Sequence, residues 1–115
     1  MYRLNGEERP SFVLGLDWDG TLTDYAPAFA KVAALCRHVA IITLNREITL
    51  EMAASELSLS TDRIRVCVCP DDRFDDYDHW KAEQCILHHV SVMFDDDPCV
   101  IDRCLSIGVA AIGVR

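Results

Sequence analysis

The sequence predicts an α/β fold of three layers, Rossmann-like, with a five-stranded parallel sheet flanked by helices. Two observations predict it. Five short apolar runs alternate with amphipathic, helix-like segments, and parallel strands need such crossovers between them. The apolar runs do not alternate cleanly with polar residues, as expected of strands buried on both faces. At 115 residues, 50% of them hydrophobic, the chain suits one domain over residues 1–115 with a core of its own.

The elements follow in order. Residues 12–16, with Phe12, Val13, Leu14 and Leu16, form the first strand. Residues 27–37 read as a helix with Phe29, Val32, Ala33 and Cys36 on one face. Pro27 suits its first turn, and Asp24 lies where an N-cap is expected. Residues 39–42 are the second strand, and 46–58 a helix carrying Ile48, Met52, Ala53 and Leu57 at helical spacing. Residues 64–68 are the third strand. After a polar stretch come a short helix at 80–88 and a fourth strand at 90–94. A helix at 98–107 and a fifth strand at 110–114 complete the pattern. No internal repeat, linker or low-complexity segment interrupts it.

Composition narrows the function classes. Nineteen Asp and Glu stand against eleven Lys and Arg, a formal charge of -8. That argues against a nonspecific nucleic-acid binder, which needs a basic face, and is compatible with an acidic site for divalent cations. No apolar run has transmembrane length. The polar residues 1–10 lack the apolar segment of a signal peptide, so no membrane partner and a cytoplasmic location are expected. None of the six cysteines forms a C-x-x-C pair, which disfavours zinc. Most are expected to be reduced, buried, small hydrophobes.

In an open parallel sheet, ligands bind beyond the carboxyl ends of the strands. The residues there form a pattern. Asp17-Trp18-Asp19-Gly20-Thr21-Leu22-Thr23-Asp24 follows the first strand. At ordinary residue usage, D-x-D-G-T should occur by chance in a chain of this length about once in a thousand sequences. Thr43, Asn45 and Arg46 follow the second strand, Lys81 lies in the third helix, and Asp95, Asp96 and Asp97 follow the fourth strand. Carboxylates can hold Mg²⁺, a lysine can neutralise phosphate charge, and a hydroxyl can bind a phosphate oxygen. The combination suits phosphoryl transfer.

On these residues the chain resembles the haloacid dehalogenase (HAD) superfamily of phosphatases. The four motifs stand in order: D-x-D-G-T-L-T at 17–23, an apolar strand ending at Thr43, Lys81, and a strand ending in Asp95-Asp96. The resemblance implies Asp17 as nucleophile, forming an aspartyl-phosphate. It implies Asp19 as the acid that protonates the leaving oxygen and the base that activates water. Thr43 and Lys81 would hold the phosphoryl group, with Gly20, Asn45 and Arg46 as further substrate or phosphate contacts. Asp17, the backbone carbonyl of Asp19, and Asp95 or Asp96 would bind Mg²⁺. Asp96 is the favoured ligand of that pair, Asp95 a partner of Lys81 or of metal-bound water, and Asp97 equally an N-cap. Arg46 could instead pair with Glu47 or Glu51.

Many members of this superfamily carry a cap domain. Here about twenty residues separate Asp19 from the second strand, and twelve lie between Val68 and Lys81. Neither gap holds a folded domain, so the minimal, capless type is implied. An open site gives small substrates few contacts, and points to a large phosphorylated substrate or to a second copy of the chain acting as a lid. The charge disfavours a nucleic-acid end without eliminating it. Residues 70–80 are either an acidic solvated loop or, through Phe74, Tyr77 and Trp80, a lip that touches substrate, and Trp18 is another candidate contact. The alternatives to a phosphatase are a nucleotide or nucleic-acid-end phosphatase or phosphotransferase, and a catalytically silent binding module. A receiver domain is disfavoured because its phospho-accepting Asp should follow the third strand.

Overall fold

The computed structural model of the protein describes residues 12–114; the outer residues of the expected 1–115 domain lie outside that range. The chain runs β1 (Val13–Leu16), α1 (Thr23–Ala34), β2 (His38–Thr43), α2 (Leu50–Leu57), β3 (Ile64–Val68), α3 (Tyr77–Leu87), β4 (Val92–Asp95), α4 (Pro98–Ser106) and β5 (Ala111–Gly113). All five strands are parallel, in the order β3-β2-β1-β4-β5. The expected α/β fold with a five-stranded parallel sheet between helices is the fold observed.

The sheet separates two cores. Leu14, Leu16, Val39, Ile41 and Ile64 face one side, where Phe29 and Ala33 of α1 and Ala53 and Leu57 of α2 cover them. Ala40, Ile42, Cys67 and Met93 face the other, against Trp80 and Cys85 of α3 and Val100 and Cys104 of α4. Burial on both faces explains the unbroken apolar strands. All six cysteines are free; five are buried and Cys99 is exposed.

Strand 1 sits at the centre, with β2 on one side and β4 on the other. Connections leaving β1 and β2 run to one face, and those leaving β3 and β4 to the other. The sheet's switch point therefore lies beside the carboxyl end of β1, where the first motif begins. Among the described residues, only residues 17–22, α1 and residues 35–37 separate β1 from β2, and only residues 69–76 separate β3 from α3. No folded insertion stands over that edge.

Three of the four helix starts differ from those predicted, whereas α4 begins at Pro98 as expected. Helix α1 begins at Thr23, four residues before Pro27, because Leu22 already has helical dihedrals. Asp24 lies inside the first turn and is no N-cap. Proline at the fifth position would collide with the preceding turn, and Tyr25 departs from helical geometry (φ -134°, ψ 33°) to accommodate it. Val32 and Met52, expected on buried faces, are 42% and 41% exposed. Helix α2 begins at Leu50 rather than residue 46, with Thr49 as a side-chain N-cap that accepts from the Met52 N–H. Helix α3 begins at Tyr77, three residues early. Asp97 caps α4, accepting from the Cys99 N–H at 2.9 Å, and Pro98 occupies the first position.

Candidate active site

Asp17 is the first residue beyond β1. Its N–H donates to the Phe94 carbonyl of β4 (3.0 Å), and its own carbonyl accepts from Leu22 N–H (3.3 Å). The backbone thus fixes Asp17 from both sides. Its Oδ2 accepts from the buried Thr21 hydroxyl at 3.3 Å. Lys81 Nζ stands 2.8 Å from Asp17 Oδ1 and 2.8 Å from Asp95 Oδ2. All three side chains are buried. Three elements distant in sequence, the ends of β1 and β4 and the second turn of α3, converge on one ammonium group.

Burial pushes the Asp17 carboxyl up to about 6, against the pull of Lys81 and with the push of Asp95. Burial likewise raises Asp95, again opposed by Lys81. For Lys81 burial acts in the opposite direction, but Asp95 and Asp17 outweigh it and hold the ammonium above its ordinary value. The lysine stays charged, and the carboxylates compete for it.

Asp96 is exposed and completes an acidic group. One carboxylate oxygen from each of Asp17, Asp95 and Asp96 lies within 4.8 Å of the others. The one ammonium pairs with Asp17 and Asp95 and not with Asp96, which leaves the three carboxylates short of positive charge. A hard, oxygen-seeking cation such as Mg²⁺ fits that donor set.

Gly20 explains how Asp96 reaches the group. Its φ is +79°, and a Cβ there would stand 2.3 Å from Asp96 Oδ2. Only a residue without a side chain lets the turn fold against that carboxylate. The Gly20 N–H donates to Thr23 Oγ1 at 3.0 Å, tying the turn to the start of α1.

The remaining predicted residues lie at and beyond the end of β2 and on the turn after β1. Thr43 ends β2, is buried, and accepts from the Asn45 N–H at 3.0 Å, leaving its hydroxyl proton to donate. Asn45 Nδ2 donates to Asp19 Oδ2 at 3.3 Å. The exposed Asp19 carboxylate therefore leans toward the end of β2, apart from the acidic group. Arg46 pairs with Asp71, across the turn after β3, and not with Glu47 or Glu51. Asp95 is the partner of Lys81, one of the two roles expected of it.

The proposed aromatic lip is not assembled. Trp80 and Trp18 are 6% exposed and belong to the two cores. Tyr77 donates its hydroxyl to Asp97, which pushes its own pKa up to about 12. Of the three, only Phe74 is exposed. Thr21 and Tyr77 are structural supports that motif matching passed over. Thr21 was signalled by its place within D-x-D-G-T, whereas the Tyr77–Asp97 contact spans twenty residues and leaves no trace in spacing.

Among the described residues, the acidic group is the one cluster of His, Cys, Asp or Glu with ligand atoms gathered this way, and no helix is long and apolar enough to cross a membrane. No family model, curated protein or solved structure matches the chain.

Proposed function

We propose that this chain is a Mg²⁺-dependent phosphomonoester hydrolase of the HAD type, working through an aspartyl-phosphate on Asp17. The observation that carries the reading is the buried junction of Asp17, Lys81 and Asp95 at the switch point of the sheet. A structural core has little use for two carboxylates and an ammonium in one place, since such groups are costly to bury. Asp19 on the adjoining turn supplies the acid–base group that a binding module does not need.

Each side chain has a task in this reading. An Asp17 oxygen bonds to phosphorus as the bond to the leaving oxygen breaks, and Asp19 gives that oxygen its proton, releasing an alcohol. In the second half, Asp19 takes a proton from water while the water oxygen bonds to phosphorus. The bond from phosphorus to Asp17 then breaks, releasing phosphate and restoring the Asp17 carboxylate and the acid form of Asp19. Lys81 and the Thr43 hydroxyl bind phosphoryl oxygens and orient the phosphorus toward Asp17. Asp17, Asp95 and Asp96 would hold Mg²⁺, with the Asp19 carbonyl as a further donor. Bound there, Mg²⁺ supplies charge neutralisation for the phosphoryl oxygens. The insertion-free edge supports a large phosphorylated substrate over a small metabolite.

Hydrolysis of a chromogenic aryl phosphate tests the reading. Turnover is expected with Mg²⁺, and background rates with EDTA or in Asp17→Asn. Equal rates in all three would remove the proposal.

A further inference from the structure

At the opposite end of the sheet, a cavity of about 300 Å³ opens where β1, β2 and β3 begin and α3 ends. Its charged and titratable lining is His38 from β2, Asp62 from the turn before β3, Arg65 from β3, and His88 and His89 following α3. Three of the chain's four histidines thus meet in one cavity with an arginine, against a single carboxylate. On a chain of net charge -8, that concentration of potential positive charge runs against the average surface. The remaining wall is apolar, with Val39, Ile64 and Leu87 among its residues. The turn that presents the last two histidines sets His89 at φ 56°, a conformation glycine adopts freely, yet an imidazole stands there.

We propose that this cavity is a second site, which binds a small organic oxyanion with its charged end toward Arg65 and the histidines and its apolar body against Val39, Ile64 and Leu87. The size matches the lower end of small-ligand pockets, which are mostly apolar with a few placed polar groups. Arginine presents a fork of donors suited to an oxyanion, and each protonated imidazole adds two more. The site is independent of the Asp17 centre, which lies beyond the other ends of the same strands.

Acidity tunes the site. Burial pushes the His88 pKa down, and the neighbouring Arg65 and His89 push it further. His88 is therefore neutral at neutral pH, and an anion beside it favours its protonation. Binding strengthens as pH falls, because His88 gains charge in a lining that also holds Arg65, His38, His89 and the single carboxylate of Asp62.

Benzoate is the probe, since its charge is constant over the range used. Titration is followed by NMR through the His88 and His89 imidazole signals and the Ala40 amide, in the full chain and in Arg65→Gln. Arg65 is exposed, and unchanged circular dichroism would confirm the variant's fold. Saturable shifts are expected, with affinity about fivefold higher near pH 6 than near pH 8, and about fivefold lower in Arg65→Gln. Shifts that never saturate, or equal affinity in Arg65→Gln, would mean binding at high concentration only and overturn the proposal. Shifts confined to residues around Asp17 and Lys81 would also overturn it, while leaving the phosphatase reading intact.

Discussion

Lys81 reaches from the second turn of α3 to Asp17 at the end of β1, and their charged atoms stand 2.8 Å apart with side chains only 4% and 9% exposed. The same ammonium holds Asp95. Removing it leaves two buried carboxylates without a partner. Lys81→Met is expected to lose about 3–5 kcal/mol of stability, as buried pairs do when one member is deleted, and to abolish phosphatase activity. Urea unfolding checks the first effect, and aryl phosphate hydrolysis the second.

Asp17→Asn should have the opposite effect on stability. The folded-state pKa of Asp17 is raised to about 6 from 3.8. The folded protein therefore holds this proton more tightly than the unfolded chain, and Asp17 favours folding most when protonated. As pH rises from about 4 to about 6, that contribution is lost. Asn does not titrate. In EDTA, the stability of Asp17→Asn relative to wild type should thus grow across this window and be level above it. Paired denaturation curves at several pH values give the difference directly. A difference that shrinks with rising pH would mean that the ion pair with Lys81 outweighs burial.

Asp19→Asn separates chemistry from folding. Its side chain is exposed, so stability should change by no more than about 0.5 kcal/mol. Hydrolysis of an alkyl phosphate, which needs a protonated leaving oxygen, should fall about 10²- to 10⁴-fold. An aryl phosphate with a good leaving group should suffer less in the first half-reaction, visible as a burst of the phenol in rapid mixing. Equal losses on both substrates, with no burst, would assign Asp19 a different role.

Gly20→Ala tests the support of Asp96. The added methyl meets Asp96 Oδ2, and the positive φ adds strain of about 1–2 kcal/mol. The midpoint of Mg²⁺ activation should rise about tenfold, because Asp96 has to leave its place. A Mg²⁺ titration of activity reads this, and calorimetry gives the affinity without turnover.

Much of the fold was legible because strands buried on both faces announce themselves as apolar runs, and the residues following each run are fixed in space by the parallel sheet. Asp17, Thr43 and Asp95 could be placed at strand ends for that reason. Lys81 was harder, since a lysine in a helix is usually solvated; here its burial depends on two carboxylates far away in sequence. Helix starts differ from the pattern where turns merge into helices, as at Leu22, and where ion pairs stabilise a polar stretch. Arg73, for example, binds Asp76 and Glu83 and braces the turn before Tyr77. Arg46 found Asp71 rather than a helical neighbour, because its own helix begins four residues later than the pattern suggested. Trp18 is a candidate contact by its place in the motif, but its size and apolar surface draw it into the core.

The contact between Gly20 and Asp96 also bears on how this sequence can change over generations. The two positions lie in different motifs, 76 positions apart, yet occupy one volume. A side chain gained at 20 would need a shorter one at 96 in the same lineage, or an intermediate with a displaced carboxylate. Descendants of this chain should therefore inherit the two positions as a unit, drifting together or not at all.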